Sequence, residues 1–398
     1  MDQLANIVWN AIQIIIGFNL VFPLLLLLFV LLFGRKKQKL KSARAEADYA
    51  IIVTAYLYTD NLQAVVSSIS KLNYSNYLIY IIADNCDISN LHFNNDKVVL
   101  LRPDQVLSSN TRSHFYAIRN FKRPHDRLTI IDSDNLVDSE YLNHLNVYFD
   151  QGFEAVQGTR EAKNIDTLYS RLDAARDIYY HFYDGKLLFE AGSSATLAGS
   201  GMAFTVSLYK NCLELKDITG AGFDKILQSE IVKRNKRIAF APDARVFDEK
   251  TSRSDQLVNQ RARWINTWFK YFRFGFTLIG RGLINFSWNQ VLFGVVLLRP
   301  PLFIFLILSI LMMFANVLIN PIIALAWFGG FVSFVAGFII SLKSYNTDPR
   351  IYSSLIGIPK FIFFQLISLA NIFRANKRSV ATQHYHSEKE IDEVIQEQ

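Results

Sequence analysis

Two carboxylates separated by one residue, Asp132 and Asp134, follow an apolar run over residues 128–131. The run predicts a buried strand. A carboxylate pair at its end suits Mg²⁺ or Mn²⁺, because these hard cations prefer oxygen ligands and share them with the phosphates of a substrate. Aspartate and serine are also common in turns, so a solvated turn is the simpler explanation when the pair is taken alone. The pair predicts a metal and phosphate site only together with other residues.

Two further carboxylates lie at the ends of predicted elements. Asp84 follows a predicted strand over residues 77–83, and Asp224 opens a predicted helix that runs to about residue 235. A carboxylate in the first turn of a helix is stabilised by free backbone N–H groups and by the helix dipole, so a helix cap explains Asp224. The functional alternative for Asp224 is a general base at the rim of a cleft.

Two other stretches carry residues suited to recognising a sugar phosphate. The loop over residues 197–202 is either a simple turn or an acceptor-binding loop, because its glycines permit both. Its three central residues are Gly199, Ser200 and Gly201. Gln260, Arg263 and Trp264 share one face of a predicted helix over residues 256–274. On that face Arg263 could hold a diphosphate and Trp264 could stack on a sugar ring, and a helix lying on a membrane surface is a compatible alternative.

Strands and helices alternate between residues 48 and 255, which predicts an α/β domain with a mostly parallel central sheet. Ligands collect at the carboxyl ends of the strands in such sheets, so Asp84 and the Asp132/Asp134 pair are expected at one edge. The predicted strands cover residues 49–54, 77–83, 98–101, 128–131, 155–158, 203–206 and 237–246. Predicted helices in the same region cover residues 62–72, 112–120 and 169–183.

The N-terminal segment predicts a membrane-spanning helix. Residues 7–33 are apolar with three polar interruptions, which is long enough to cross a bilayer, and a basic cluster follows at 35–41. A cleaved signal peptide is disfavoured, because the run is too long and lacks both a basic start and a small-residue cleavage site. The positive-inside rule then leaves the N-terminus outside and the next domain in the cytosol.

The last third of the chain also has membrane character. Residues 301–319 and 322–342 predict a hairpin of two spans, which gives three spans with the N-terminal helix. The segment 355–373 contains a lysine and two amides and precedes basic residues 374–378, so it predicts an interfacial helix with a cytoplasmic C-terminus. A polar tail at 379–398 is expected to be mobile. The predicted division is therefore 1–44, 45–255, 256–298, 299–378 and 379–398.

Charge and cysteine content narrow the class of protein. The formal charge is +7 over 398 residues, but many basic residues flank the apolar runs, so membrane lipids rather than nucleic acid are the expected partner. Cys86 and Cys212 are far apart in sequence and fit no metal-binding spacing, which predicts reduced thiols. A transporter or receptor is disfavoured, because the spans lack the buried charges of a transport path.

The order of these motifs resembles that of the membrane-embedded glycosyltransferases of family 2, the group of cellulose, hyaluronan and chitin synthases. The resemblance covers roughly residues 45–270 and includes the connecting stretches 131–137, 155–158, 199–204 and 241–244. Its motifs are Asp84, Asp132-x-Asp134, Asp224 and Gln260-x-x-Arg263-Trp264. The resemblance implies a GT-A fold, a UDP-sugar donor, a bound Mg²⁺ or Mn²⁺ and an inverting transfer that leaves a β-linkage.

The resemblance also implies roles for individual residues. Asp84, with Thr54 and Tyr56, is expected to contact the uridine part of the donor. Asp134, with Asp132, is expected to hold the metal on the diphosphate. Asp224 is expected to accept the proton of the acceptor hydroxyl. Gln260, Arg263 and Trp264 are expected to close the site on the diphosphate and the acceptor.

Three departures from the family pattern bear on the expected activity. Residues 54–58 read Thr-Ala-Tyr-Leu-Tyr where the family has Pro-Ala-x-Asn-Glu, and His114 lies nearest to a position where a lysine is common. The acidic pair that carries the base reads Phe223-Asp224. The predicted function is a membrane glycosyltransferase of cell-surface polysaccharide synthesis, acting on a glycan or on a lipid-linked acceptor, either processively or in single transfers. The alternative is a catalytically weak scaffold subunit of a polysaccharide-export complex.

Overall fold

The computed structural model describes residues 2–34 and 46–372, together with Val394. The basic residues 35–41 and 374–378 lie outside the described part, as does the tail 379–398 apart from Val394, which is buried. Eight strands are found in the described part: Tyr49–Tyr56 (β1), Tyr77–Asp84 (β2), Val98–Leu101 (β3), Arg127–Asp132 (β4), Leu136–Val137 (β5), Ala155–Ala162 (β6), Met202–Thr205 (β7) and Ile238–Asp248 (β8).

The strands form one sheet in the order β3-β2-β1-β4-β7-β6-β8-β5. Strands β1 to β4 pair in parallel, as do β6 and β8, whereas β7 runs antiparallel between β4 and β6. The predicted GT-A architecture with a mostly parallel sheet is confirmed. The register places Thr54 opposite Asp132 and Tyr56 opposite Asp84, so four predicted site residues lie at one edge of the sheet.

Helices cover both faces of the sheet, which is why the strand residues are apolar on both sides. Along β1, Ile51 and Val53 belong to one buried cluster, whereas Ala50 and Ile52 belong to the other. The helices of this domain are Leu62–Ser70 (α2), Asn110–Arg119 (α3), Tyr141–Phe149 (α4), Leu168–Tyr180 (α5), Leu188–Glu190 (α6), Val206–Leu213 (α7), Phe223–Lys233 (α8) and Ser254–Tyr271 (α9).

The remaining helices are largely apolar: Asp2–Phe33 (α1), Phe274–Ile284 (α10), Trp288–Leu298 (α11), Leu302–Ile319 (α12), Pro321–Lys343 (α13), Pro349–Ser354 (α14) and Ile358–Ala370 (α15). Within the described ranges, four segments have the length and composition of a membrane span: Gln3–Phe33, Leu302–Ile319, Pro321–Lys343 and Pro349–Ala370. The first three match the predicted spans. The fourth includes most of the predicted interfacial helix, and its interfacial placement stays a prediction.

Polar side chains hold three of the apolar helices together. Gln13 of α1 accepts hydrogen bonds through Oε1 from Asn316 Nδ2 of α12 at 2.6 Å and from Trp327 Nε1 of α13 at 3.0 Å. Hydrogen bonds of this kind join helices in lipid, where unpaired polar groups are costly. Helices α1, α12 and α13 therefore pack as one unit.

Several elements differ from the predictions. The predicted helix over 169–183 is α5 followed by a π-helical turn, His181–Leu187. Strand β5 and helices α4, α6, α7 and α14 were not predicted, and β5 is too short to produce a pattern. Cys86 and Cys212 are buried free thiols, as predicted.

Candidate active site

One cavity of about 1060 Å³ lies between the carboxyl edge of the sheet, helix α9 and the apolar helices α11, α12, α13 and α15. Its walls come from elements that are far apart in sequence, and together they collect most of the predicted catalytic residues. The predicted site residues on its lining are Asp132, Asp134, Gly199, Asp224, Gln260, Arg263 and Trp264. The cavity is large enough for a nucleotide sugar, since ligand pockets typically measure about 300–1,000 Å³.

A buried serine supports the turn at the end of β4, where the carboxylate pair lies. Ser200 is fully buried, and its Oγ accepts a hydrogen bond from the backbone N–H of Asp132 at 3.0 Å and from Asn135 Nδ2 at 2.7 Å. Gly201 beside it has φ +65°, and a Cβ there would lie 2.8 Å from Cγ2 of Val246. Ser200 and Gly201 therefore position the carboxylate pair from behind, and of the three loop residues only Gly199 reaches the cavity.

Asp224 is fixed at the start of helix α8. Its carboxylate lies 3.0 Å from Lys225 Nζ, which also donates a hydrogen bond to the backbone oxygen of Leu197 at 3.0 Å. The lysine thereby joins the Asp224 turn to the glycine loop. Gly222 precedes the helix with φ +100°, and this left-handed backbone is open to glycine without steric cost. The side chain of Asp224 is 16% exposed, so it is reachable from the cavity.

The predicted face of α9 does lie toward the cavity. Gln260 Oε1 accepts a hydrogen bond from Thr251 Oγ1 at 3.2 Å, which ties α9 to the end of β8. The ring of Trp264 lies 4.4 Å from the guanidinium carbon of Arg176 and 4.1 Å from that of Arg261. Cation–π contacts on the indole restrict its orientation while its edge stays accessible. Burial lowers the pKa of Arg263 below its ordinary value, although an arginine remains charged there.

A chain of ion pairs beside the cavity was not predicted. It joins β6 and β8 to helices α5 and α9, and Arg160 also donates to the backbone oxygen of Ala198 at 2.7 Å, in the glycine loop. Ion pairs of this kind are costly to bury unless each charge is paired, so the chain fixes the relative position of its elements. Its members are Arg160, Asp173, Arg176, Asp177, Asp248, Lys250 and Arg261.

Burial and neighbouring charge oppose each other in this chain. Burial would raise the pKa of Asp177, but Arg176, Lys250 and Arg160 hold it well below its ordinary value. Burial lowers the pKa of Arg261 to about 10, and the positive charge of Arg176 adds to that decrease. Asp177 and Arg261 are therefore both ionised at neutral pH.

A spacing signal for part of this chain is present in the sequence. Asp173, Arg176, Asp177, Tyr180 and His181 follow one another at i, i+3, i+4, i+7 and i+8, which places them on one helical face. A polar stripe on a helix that is otherwise rich in apolar and aromatic residues indicates a buried polar contact or a site. The structure directs four of the five into the cavity.

The predicted uridine contacts lie at the same sheet edge but outside this cavity lining. Asp84 is 2% exposed, and its two carboxylate oxygens accept hydrogen bonds from the backbone N–H groups of Leu107 at 2.9 Å and Ser108 at 2.8 Å. Tyr56 and Ser108 hydroxyls are 3.4 Å apart. Asp84 therefore anchors the loop before α3, which adjoins the carboxyl end of β1. His114 is fully buried against the Tyr209 hydroxyl at 2.7 Å and is a core residue.

The donor set at the sheet edge fits one kind of metal. Among the described residues, no group of three or more histidine, cysteine, aspartate or glutamate side chains is arranged to hold an ion. Asp132 and Asp134 alone fit a cation that takes its other ligands from phosphate oxygens and water, as Mg²⁺ and Mn²⁺ do in phosphate sites. The residues present therefore fit a metal that arrives with a diphosphate.

Comparisons with known proteins agree with this geometry. Residues 46–267 match the sequence profile of a family described as "Glycosyltransferase like family 2", and no curated protein sequence matches the chain. A solved mannosyltransferase of Pyrobaculum calidifontis, in complex with GDP-Man and Mn²⁺, is similar at a TM-score of 0.55 and 11% identity, over 92% of this chain and 97% of that one. TarS of S. aureus is similar at a TM-score of 0.38 and 12% identity, over 62% and 54% of the two chains. At these identities the first likeness shows the fold and the second carries no argument.

Proposed function

Because the chain belongs to the Glycosyltransferase like family 2, we propose that it transfers a sugar from a nucleoside-diphosphate sugar to a glycan or a lipid-linked acceptor at the membrane. The observation that supports this most directly is the shared cavity. A carboxylate pair at the end of β4, a third carboxylate on α8 and the Arg263 face of α9 all line it. Sugar transfer needs these groups on different sides of one site, because leaving group and nucleophile occupy opposite sides of the anomeric carbon.

In this proposal Asp224 accepts the proton of the acceptor hydroxyl. The hydroxyl oxygen bonds to the anomeric carbon while the bond from that carbon to the diphosphate breaks, and the nucleoside diphosphate leaves. Attack opposite the leaving group inverts the anomeric centre, so an α-linked donor gives a β-linked product. Arg263 and Gln260 hold the diphosphate, and Trp264 packs against the sugar or acceptor ring.

Asp132 and Asp134 would hold Mg²⁺ or Mn²⁺, which when bound neutralises charge on the departing diphosphate. The family resemblance favours a UDP-sugar as the donor. The mannosyltransferase with a similar fold was solved with GDP-Man, so GDP-sugars belong in any donor panel. Asp84, Thr54 and Tyr56 stay our candidates for the nucleoside end, because the strand register brings them to the edge where the carboxylate pair lies.

We place the catalytic domain on the cytosolic side of the cell membrane and the N-terminus outside, because basic residues 35–41 follow the first span. Helices α12 and α13 then cross outward and back. An interfacial α15 keeps basic residues 374–378 in the cytosol, and α15 packs on the domain side through Phe361, which clusters with Leu172 and Leu257. In this position the enzyme can use cytosolic donors to build cell-surface polysaccharide.

The test is release of nucleoside diphosphate by detergent-purified protein that is offered UDP- and GDP-sugars with Mg²⁺ or Mn²⁺ and a membrane lipid extract as acceptor source. Asp224→Asn should retain donor binding and lose turnover by at least about 10²-fold, as expected for a general base. The matched control is Asp96→Asn, because Asp96 is an exposed carboxylate in the turn before β3, at the opposite edge of the sheet.

Each outcome separates the candidate functions. Turnover with one sugar that Asp224→Asn loses and Asp96→Asn keeps supports the transferase and its base. Turnover that survives in Asp224→Asn refutes the base assignment. Absence of both turnover and nucleotide affinity, with acceptor and metal supplied, would favour the scaffold subunit, which the departures at residues 54–58 and Phe223 suggest.

A further inference from the structure

The cavity does not end at the catalytic carboxylates. It continues between the domain-side halves of α12 and α13, which are candidate membrane spans. We call this part the α12/α13 groove, and the side chains that define it are Phe305, Leu306, Ile310, Phe331, Val335 and Ile339. Phe331 and Val335 also border a second apolar depression with Phe328 and Val332, so the groove continues along α13.

The chemistry of the α12/α13 groove selects its occupant. Each of the six side chains that define it is a hydrocarbon, so none can hydrogen-bond to the hydroxyls of a sugar chain. A glycan in this space would leave polar groups unpaired in an apolar environment, which is unfavourable. A hydrocarbon chain has no such groups. From Ile339 to Phe328 the groove runs roughly 16 Å at 1.5 Å per residue, about half of the roughly 30 Å hydrocarbon core of a bilayer.

A buried cation lies on the same cavity near the catalytic groups. Arg261 is 2% exposed and pairs with Asp173 through Nη2, whereas its Nε and Nη1 have no hydrogen-bond partner among the described residues. A guanidinium has five N–H donors, so a buried one with two unpartnered nitrogens is incompletely satisfied. Arg261 is also one of the residues that line the cavity.

Arg261 shares its carboxylate partner with a second arginine. The seven members of its ion-pair chain are four cations and three carboxylates, whereas the lining of the whole cavity carries seven acidic and seven basic side chains. Asp173 cannot satisfy Arg261 alone, because Arg176 also contacts it at 3.0 Å. Buried charges are normally paired, so an anionic ligand is the partner that this arrangement lacks. A phosphate suits it best, because arginine binds phosphate oxygens with two parallel hydrogen bonds.

We infer that the acceptor is carried on a long-chain lipid phosphate, whose hydrocarbon chain lies in the α12/α13 groove and whose phosphate is bound by Arg261. The inference rests on the proposed function, since it names the acceptor class of the same site. The acceptor hydroxyl belongs to a saccharide attached to that phosphate, which lets Asp224 deprotonate it. The groove thus serves a lipid tail and not the export of a growing sugar chain.

The test is equilibrium binding of labelled farnesyl phosphate and of farnesol to the full-length protein in phosphatidylcholine nanodiscs. Wild-type protein should bind the phosphate at least about tenfold more tightly than the alcohol, as expected for charge-assisted hydrogen bonds. Arg261→Gln should bring this ratio close to one, and Arg261→Lys should retain part of it. Folding should survive both changes, because Asp173 keeps Arg176 as its partner.

The groove is tested separately by Val335→Trp, which fills an exposed position of α13 and should weaken farnesyl phosphate and farnesol equally. Leu325→Trp is its control, since Leu325 is 69% exposed on the same helix and lies outside the groove. Arg281→Gln, at an exposed arginine of α10, is the control for Arg261.

The inference is overturned if Arg261→Gln keeps the preference for the phosphate, if it weakens UDP instead of farnesyl phosphate, or if Val335→Trp leaves both lipid affinities unchanged. Lipid binding with these dependencies, but no sugar transfer from any donor, would refute the proposed function and leave the lipid site intact. Transfer to a water-soluble glycan at an undiminished rate in Val335→Trp would refute the lipid acceptor and leave the glycosyltransferase intact.

Discussion

Gly222 lies between helix α9 and Asp224, the proposed general base, and replacing this glycine with alanine should disturb the position of both. Its φ is +100°, and an added Cβ would lie 2.6 Å from Cε2 of Tyr271 and 2.7 Å from Cγ2 of Thr267, both on α9. Real Cβ atoms do not approach other atoms this closely. Gly222→Ala must therefore separate the start of α8, where Asp224 lies, from the helix that carries Gln260 and Arg263.

The expected loss of stability in Gly222→Ala has two parts, and a second glycine of the chain allows them to be measured separately. The left-handed backbone costs a residue with a Cβ about 1–2 kcal/mol, and forcing a methyl group into a packed contact adds about 1–3 kcal/mol. Gly220, two residues earlier, has φ +76° and no atom within 4 Å of an added Cβ. Gly220→Ala should bear only the first cost, so the difference between the two variants measures the contact.

The assay is thermal unfolding together with nucleoside-diphosphate release under saturating donor. Gly222→Ala should unfold at a lower temperature than Gly220→Ala and lose turnover by up to about 10²-fold, because a displacement of about 1 Å of a catalytic group can have that effect. Adding Thr267→Ser, which removes the Cγ2 that the new methyl meets, should restore part of both. Equal stability and equal turnover in Gly222→Ala and Gly220→Ala would refute this account of how Asp224 is placed.

Three further predictions follow from contacts in the α/β part of the chain. Ser200→Ala removes the acceptor of the Asp132 backbone N–H, so stability should fall by about 1–3 kcal/mol and half-maximal turnover should need more Mn²⁺; an unchanged metal titration would count against Ser200 as a positioning residue. Chelation should abolish turnover, and Asp134→Asn should need more metal than wild-type protein for recovery; recovery at equal concentrations would remove Asp134 from the metal site. Burial lowers the pKa of His114 from 6.5 to about 3, so only the unfolded chain binds a proton between these values. Stability should be full above pH 6.5 and fall as the pH decreases toward 3, by at most about 1.4 kcal/mol per pH unit from this group, and His114→Gln should unfold with a shallower dependence on pH than wild-type protein.

The sheet was predictable because its strands are buried on both faces. Such strands produce continuous apolar runs, and the runs at 49–54, 77–83 and Val98–Leu101 each became a strand. Asp84 and Asp132 each follow one of the apolar runs. In a parallel sheet the ends of such runs lie at the carboxyl edge, and the strand register places both residues there. The sequence pattern therefore predicts the position of these carboxylates in the fold, because parallel strands run in the same direction and end at the same edge.

Roles within the glycine loop were not predictable from local sequence. Gly199, Ser200 and Gly201 form one short stretch, but the backbone turns so that Gly199 faces the cavity while Ser200 lies buried under Asp132. Which side of a loop a residue faces depends on contacts with strands that are distant in sequence. The close approach of Gly201 to Val246 is an example, because Gly201 directly precedes β7, whereas Val246 lies in β8, beyond helices α7 and α8.

The ion-pair chain was not predicted for a related reason, because its members lie on elements that are distant in sequence. Arg160 lies near the end of β6 and Asp248 is the last residue of β8. The two residues become neighbours only once these strands pair in parallel. Lys250 lies two residues after the end of β8 and is 2% exposed, and its neighbours in the sequence do not indicate this burial. The free-energy cost of burying Lys250 is offset because Asp177 of α5 forms an ion pair with it. The domain therefore needs α5 in place before this charged region is stable, and α5 packs through Tyr179 against Phe334 and Phe338 of α13. The apolar helices thus contribute to the geometry of the cavity itself.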